Sequence, residues 1–327
     1  MYKGTNNDGV EQVCYEQAHV EKVLAAIKKN FDAYFDRFLD AAGGNELSLA
    51  DIQDLQKKFG IEIQKNKKNF DPAQRYGSIL REAVDEFEKD RESYQKIFNQ
   101  SALEDLDEDA DFFKLKILKN ECPVIRKTLA NKKAKELDPY RVNFSLADAD
   151  LLLRVVYNLC VFADDYIENY DADEYESVQT YQELALEPLA ADEYTVYGVI
   201  GGGIKSHMLF KVYPAVFPNR SRSAIWALWY LTNKETFGCK TDSEFLMIDV
   251  GKTVTQQNYF YPYRLFAYYA FEIYKLLRDK AAALGVVIDT DYRYVIVDAF
   301  LEYVAAEHQK DIDLLQSQIK DGGMSYA

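Results

Sequence analysis

Apolar positions recur along the amino-terminal part of the chain at helical intervals. Val20, Val23, Leu24, Ile27, Phe31, Tyr34, Phe35 and Phe38 fall on one face of a 3.6-residue period, which predicts a long amphipathic helix ended by Gly43-Gly44. Ser48, with Asp51 three residues on, reads as a capping-box-like start for a helix over Leu49–Phe59, and Gly60 stops it. Asp71-Pro72 places an N-cap residue before a proline at the first helical position. Tyr76, Ile79, Leu80, Ala83, Val84 and Phe87 then carry a helix toward Phe98.

The carboxyl-terminal part shows the same period with strand-like interruptions. Ser145 and Asp148 predict a helix start ahead of Leu151–Tyr170. Ser221–Phe237 and Tyr263–Leu284 read as helices, the second set between Pro262 and Gly285. Glu193–Ile200 is rich in β-branched and aromatic residues and runs into three glycines, which predicts a short strand; Phe245–Val250 predicts a second. In Tyr292–Ile319, Tyr294–Val297 has strand character and the remainder is helical. The expected fold is therefore mainly α, a helical two-part architecture with a small β element in the C-terminal half; α+β is the alternative. Asp138-Pro139 interrupts the helical pattern and sets the expected boundary near Leu137–Asn143. Residues 1–140 then form a helical domain, and residues 141–327 a tyrosine-rich, mainly helical domain with short strands.

Composition narrows the classes. With 48 % apolar residues the 327-residue chain can bury a core. No uncharged apolar run approaches the ~18 residues of a membrane span, the densest being Ala224–Leu231, and the amino terminus lacks the apolar core of a secretory signal. Cys14, Cys122, Cys160 and Cys239 form no CxxC pair and read as free thiols in a reducing cytoplasm. His19, His207 and His308 are equally scattered, so spacing indicates no metal set and no cofactor. The net charge of −15 is unevenly spread: residues 141–193 hold 13 acidic and 2 basic residues, whereas residues 194–327 balance 14 against 14.

Five features bear on chemistry. Gly201, Gly202 and Gly203, followed by Lys205 and Ser206, form a glycine-rich turn between a predicted strand and a predicted helix. Such a turn aims backbone N–H groups and a partial positive charge at an anion. Ile204 separates the last glycine from the lysine, so the pattern is not a nucleoside-triphosphate loop. Arg220 and Arg222 stand at the next helix start, where arginine can grip phosphate or carboxylate; residues two apart on a helix point ~200° apart, so both converge only on extended chain. Asp164, Asp165 and Glu168 cluster carboxylates on one helical face, similar in shape to the aspartate-rich helices of Mg²⁺-dependent prenyl-diphosphate enzymes, but no second such motif follows and an acidic solvated face is the plainer reading. Tyr259, Phe260, Tyr261, Tyr263, Phe266, Tyr268, Tyr269, Phe271 and Tyr274 are too dense for one helix seam and suggest a partly exposed contact surface. Lysines over Lys57–Lys68 and Arg126–Lys135 read as solvated faces, and the nuclease-like set Asp242, Glu244, Asp249 and Lys252 lacks acid-x-Lys spacing.

No catalytic set is complete. The expectation is a cytoplasmic interaction or regulatory protein acting through an acidic face and a tyrosine-rich contact surface, with a protein partner or a second copy of itself. Nucleic acid is weakly supported as a partner and a membrane is not. The alternative is an enzyme or sensor of a phosphorylated or nucleic-acid ligand held by the glycine turn with Lys205 and Arg220 or Arg222.

Overall fold

Helix after helix is set by local chemistry that the sequence displays. The structure, a computed structural model, describes residues 12–41, 71–238, 243–249, 254–259 and 261–322. Helix α1, Gln17–Ala41, buries the expected stripe from Val20 to Phe38. Helix α2, Pro72–Glu88, starts where expected: Asp71 accepts from the Ala73 N–H at 3.1 Å and proline occupies the first turn. It does not run on to Phe98, because the chain breaks at Lys89-Asp90 and restarts as α3, Arg91–Ile97. The helix expected over Leu49–Phe59 lies outside the described residues.

Short helical segments lead to α4, Asp138–Leu146, and α5, Ala149–Glu168. Asp138-Pro139 therefore opens a helix rather than interrupting one, since proline's missing N–H is no loss in a first turn. The cap of α5 is Asp148, which accepts from Leu151 N–H at 2.9 Å; Ser145 lies inside α4. Helix α6 spans Gly202–Val212 and α7 Arg222–Leu231, the latter capped by Ser221 and buried from Ala224 to Leu231. Helix α8, Tyr263–Ala283, closes at Gly285, whose φ of +70° lets the chain reverse. Helices α9, Arg293–Glu307, and α10, Gln309–Gly322, complete the chain.

Two strand expectations fail. Tyr294–Val297 lies in α9, which is buried on nearly every side between α7, α8 and α2. A helix enclosed by protein is apolar all round and so loses the period that marks it. Glu193–Ile200 is not a strand either: Asp192–Tyr194 is a 3-10 turn, and Val196 pairs back onto Ile200. The chain folds on itself before it can meet a partner strand. Leu246–Asp249 pairs antiparallel with Val254–Gln257, but this short ladder is not a layer of the fold, which is mostly helical.

The centre of the packing is α7. Its neighbours include α9 and α1, and Asn30 Nδ2 of α1 donates to the Leu231 carbonyl at 2.9 Å. Tyr76 of α2 donates to the Leu277 carbonyl of α8 at 3.2 Å. The tyrosine-rich stretch belongs to this interior. Tyr261, Phe266, Tyr268, Tyr269, Phe271 and Tyr274 are buried, Tyr263 is half-buried, and Phe260 lies outside the described residues; Tyr259 is exposed. The expected tyrosine contact surface is thus core, because the residues flank and build a helix that neighbours cover on several sides.

Candidate functional site

The glycine turn is built by a tight reversal. Val196 N–H donates to the Ile200 carbonyl at 3.1 Å, while the Val199 and Ile200 N–H groups donate to the Val196 carbonyl at 2.9 and 2.8 Å. The reversal needs Gly198, whose φ is +78°; a β-carbon there would come within 2.2 Å of Asn143 Nδ2. Gly201 follows in extended conformation and caps α6 without a side-chain hydrogen bond. The first intrahelical bond is Lys205 N–H to the Gly201 carbonyl, 2.9 Å. The Gly202, Gly203 and Ile204 N–H groups have no partner among the described residues. Gly203 is exposed, and nothing lies within 4 Å of a β-carbon placed on Gly201.

Two cations close on this helix end from inside. Lys205 is 7 % exposed; its Nζ donates to the Leu189 carbonyl at 2.5 Å and to Thr195 Oγ1 at 3.1 Å. Arg220 is 4 % exposed; its Nε donates to the Tyr261 carbonyl at 3.0 Å and its Nη2 to the Tyr259 carbonyl at 2.7 Å. The remaining nitrogen, Nη1, makes no hydrogen bond among the described residues and lies 2.9 Å from where a Gly202 β-carbon would be. Ser206 ties the parts together, donating to the Gly203 carbonyl at 3.0 Å and accepting from Arg220 N–H at 3.1 Å. Gly201, Gly202, Gly203, Lys205, Ser206 and Arg220 are thus brought together, and Arg222 is not. It is exposed and makes no ion pair among the described residues: Arg222 opens α7 at the surface, whereas Arg220 precedes the extended Ser221 cap and is buried.

The electrostatics of this end are one-sided. Burial brings the Lys205 ammonium down to about 8, with the Arg220 charge adding to the fall, and burial brings the Arg220 guanidinium down to about 10. Neither has a carboxylate partner among the described residues. Other buried cations are compensated: Arg293 pairs with Glu176 at 2.6 Å and Lys211 with Asp90 at 2.7 Å. Lys114 pairs with no acid among the described residues either, but it donates to the Ser145 and Ala147 carbonyls, at the negative end of α4. Lys205 and Arg220 instead sit at a helix amino terminus, which carries about half a positive charge of its own. Three positive contributions meet there with no carboxylate paired to them among the described residues.

The acidic segment does not converge in the same way. Asp164 accepts from Tyr213 at 2.5 Å and Gln100 at 3.1 Å, Asp171 caps a short helix, and Glu176 is bound by Arg278 and Arg293. Asp164, Asp165 and Glu168 form no three-ligand group among the described residues. Asp242 and Lys252 of the nuclease-like set and Lys57–Lys68 lie outside those residues. What sequence reasoning missed was the second layer: Leu189 and Thr195 hold Lys205, and two main-chain carbonyls hold Arg220. Carbonyl contacts leave no trace in residue identity. No family model, no curated protein and no solved structure matches the chain.

Proposed function

We propose that the protein binds a phosphorylated ligand at the amino terminus of α6. The observation that carries this reading is the pair Lys205 and Arg220, both buried beside uncapped glycine N–H groups and neither neutralised by a carboxylate among the described residues. Burying a cation without a counter-charge costs several kcal/mol, and an oxyanion above Gly201–Gly203 offsets that cost. It would accept from the Gly202 and Gly203 N–H groups and from Arg220 Nη1, with the Lys205 charge behind it. Glycine suits the place because a side chain at Gly202 would strike Arg220. The arrangement supplies binding and orientation; no nucleophile or proton-transfer pair is part of the reading.

The test is thermal unfolding of the full chain with added phosphate, pyrophosphate or a nucleotide, against chloride at equal ionic strength. The expected result is a concentration-dependent rise in Tm with the phosphorylated compounds alone, about 3 kcal/mol of added stability at a hundred times Kd. Equal effects of chloride, or no effect of any, would remove the reading.

A further inference from the structure

A second polar cluster is buried beside the tyrosine core. Cys14 lies in the 3-10 turn Gln12–Tyr15, His19 in the first turn of α1, and Glu244 just ahead of the strand Leu246–Asp249. All three are buried, and the Cys14 sulfur, a His19 ring nitrogen and a Glu244 carboxylate oxygen all lie within 4.8 Å of one another. His19 Nε2 and Glu244 Oε2 are 2.5 Å apart.

A second observation points to a missing ligand. The other carboxylate oxygen, Glu244 Oε1, is buried and makes no hydrogen bond within 3.5 Å among the described residues, with the Tyr269 hydroxyl beside the carboxylate. A half-satisfied buried carboxylate is expensive, and here it lies beside a thiol and an imidazole. The backbone is held in place independently: Asn258 Nδ2 donates to the Glu244 carbonyl at 3.0 Å.

We propose that Cys14, His19 and Glu244 bind one divalent zinc-class ion, with the fourth position open to water or a phenol oxygen. One thiolate, one imidazole and one carboxylate suit zinc; magnesium and calcium want six or more oxygens. Zinc bonds of about 2.0–2.3 Å put tetrahedral ligand atoms about 3.5 Å apart. The His19–Glu244 contact therefore opens by about 1 Å as the ion enters. Binding is proton exchange without electron transfer: the Cys14 thiol proton and the proton held between His19 and Glu244 leave to solvent as the metal bonds form. The ion would tie the amino-terminal turn to a segment 225 residues away in sequence from His19.

The experiment titrates metal-stripped full chain with Co²⁺ and then with zinc. The expected result is a thiolate-to-cobalt charge-transfer band, bleached by about one equivalent of zinc. Glu244→Gln should lower zinc affinity by about tenfold or more, Cys14→Ser should lose the band, and Cys160→Ser should keep it. Absence of the band in the wild-type chain overturns the proposal, whatever the folding of the variants.

Discussion

Gly201→Asp tests the charge argument most directly, because it should improve the fold and abolish the function. The position is free: Gly201 is in extended conformation at φ −96°, and no atom lies within 4 Å of a β-carbon there. An aspartate at this N-cap would accept from the idle N–H groups of Gly203 or Ile204, as Asp148 and Asp71 already do for α5 and α2. Aspartate over glycine at an N-cap is worth a few tenths of a kcal/mol. A carboxylate in the first turn adds about 0.3–1 kcal/mol from the helix dipole, and the neighbouring Arg220 and Lys205 charges add to it. The expected gain is about 1 kcal/mol in urea unfolding, with the slope of the transition unchanged. The new carboxylate occupies the place proposed for the ligand, so the phosphate-dependent rise in Tm should vanish. Gly202→Ala supplies the contrast: its β-carbon meets a guanidinium fixed at two carbonyls, costs about 1–2 kcal/mol net, and weakens ligand binding as well. If Gly201→Asp is destabilised, or still responds to phosphate as the wild type does, the amino terminus of α6 is not an anion site.

Three further outcomes follow from the same geometry. Lys205 falls from 10.5 to about 8 in the fold, so its penalty is present in full below pH 8 and is relieved as pH rises toward 10.5; relative to Lys205→Met, the ligand-free wild type should gain about 3 kcal/mol across that window. A bound anion favours the charged lysine, so stabilisation by sulfate, whose charge is constant here, should fade above about pH 8; a flat profile would contradict a charged Lys205 in the site. Gly198→Ala should cost about 2–4 kcal/mol from its positive φ and the clash with Asn143, and Asn143→Ala in the same chain should recover the steric share but not the backbone share, as read by urea unfolding.

Where one stretch of chain decides an element, the sequence displays it. The α1 stripe, the Asp71-Pro72 start and the Pro262–Gly285 limits of α8 are local patterns, and they hold. Where neighbours decide, the pattern misleads. Val295, Ile296 and Val297 look like a strand because burial on all sides erases helical alternation. The tyrosines from Tyr261 to Tyr274 look like a surface because their number exceeds one seam, whereas they meet several. At the candidate site the glycines, Lys205 and Arg220 were readable, since only a short connection separates their helices. The divergence of Arg222 was not readable: the chain is extended at Ser221, yet Arg220 is buried and Arg222 is exposed. The group of Cys14, His19 and Glu244 could not be read, because no spacing rule spans 225 residues.

Arg220 recognises the 259–261 segment through the main-chain oxygens of Tyr259 and Tyr261. That grip does not depend on which side chains the segment carries. Tyr259, whose ring is exposed, can drift through evolution without loosening it. All of the specificity is encoded at position 220 instead, where lysine is a poor substitute: an ammonium can approach one carbonyl closely but lacks the planar fork that spans two. The constraint from this contact is therefore lopsided, strict at position 220 and slack at Tyr259, while Tyr261 is held by its own burial in the core.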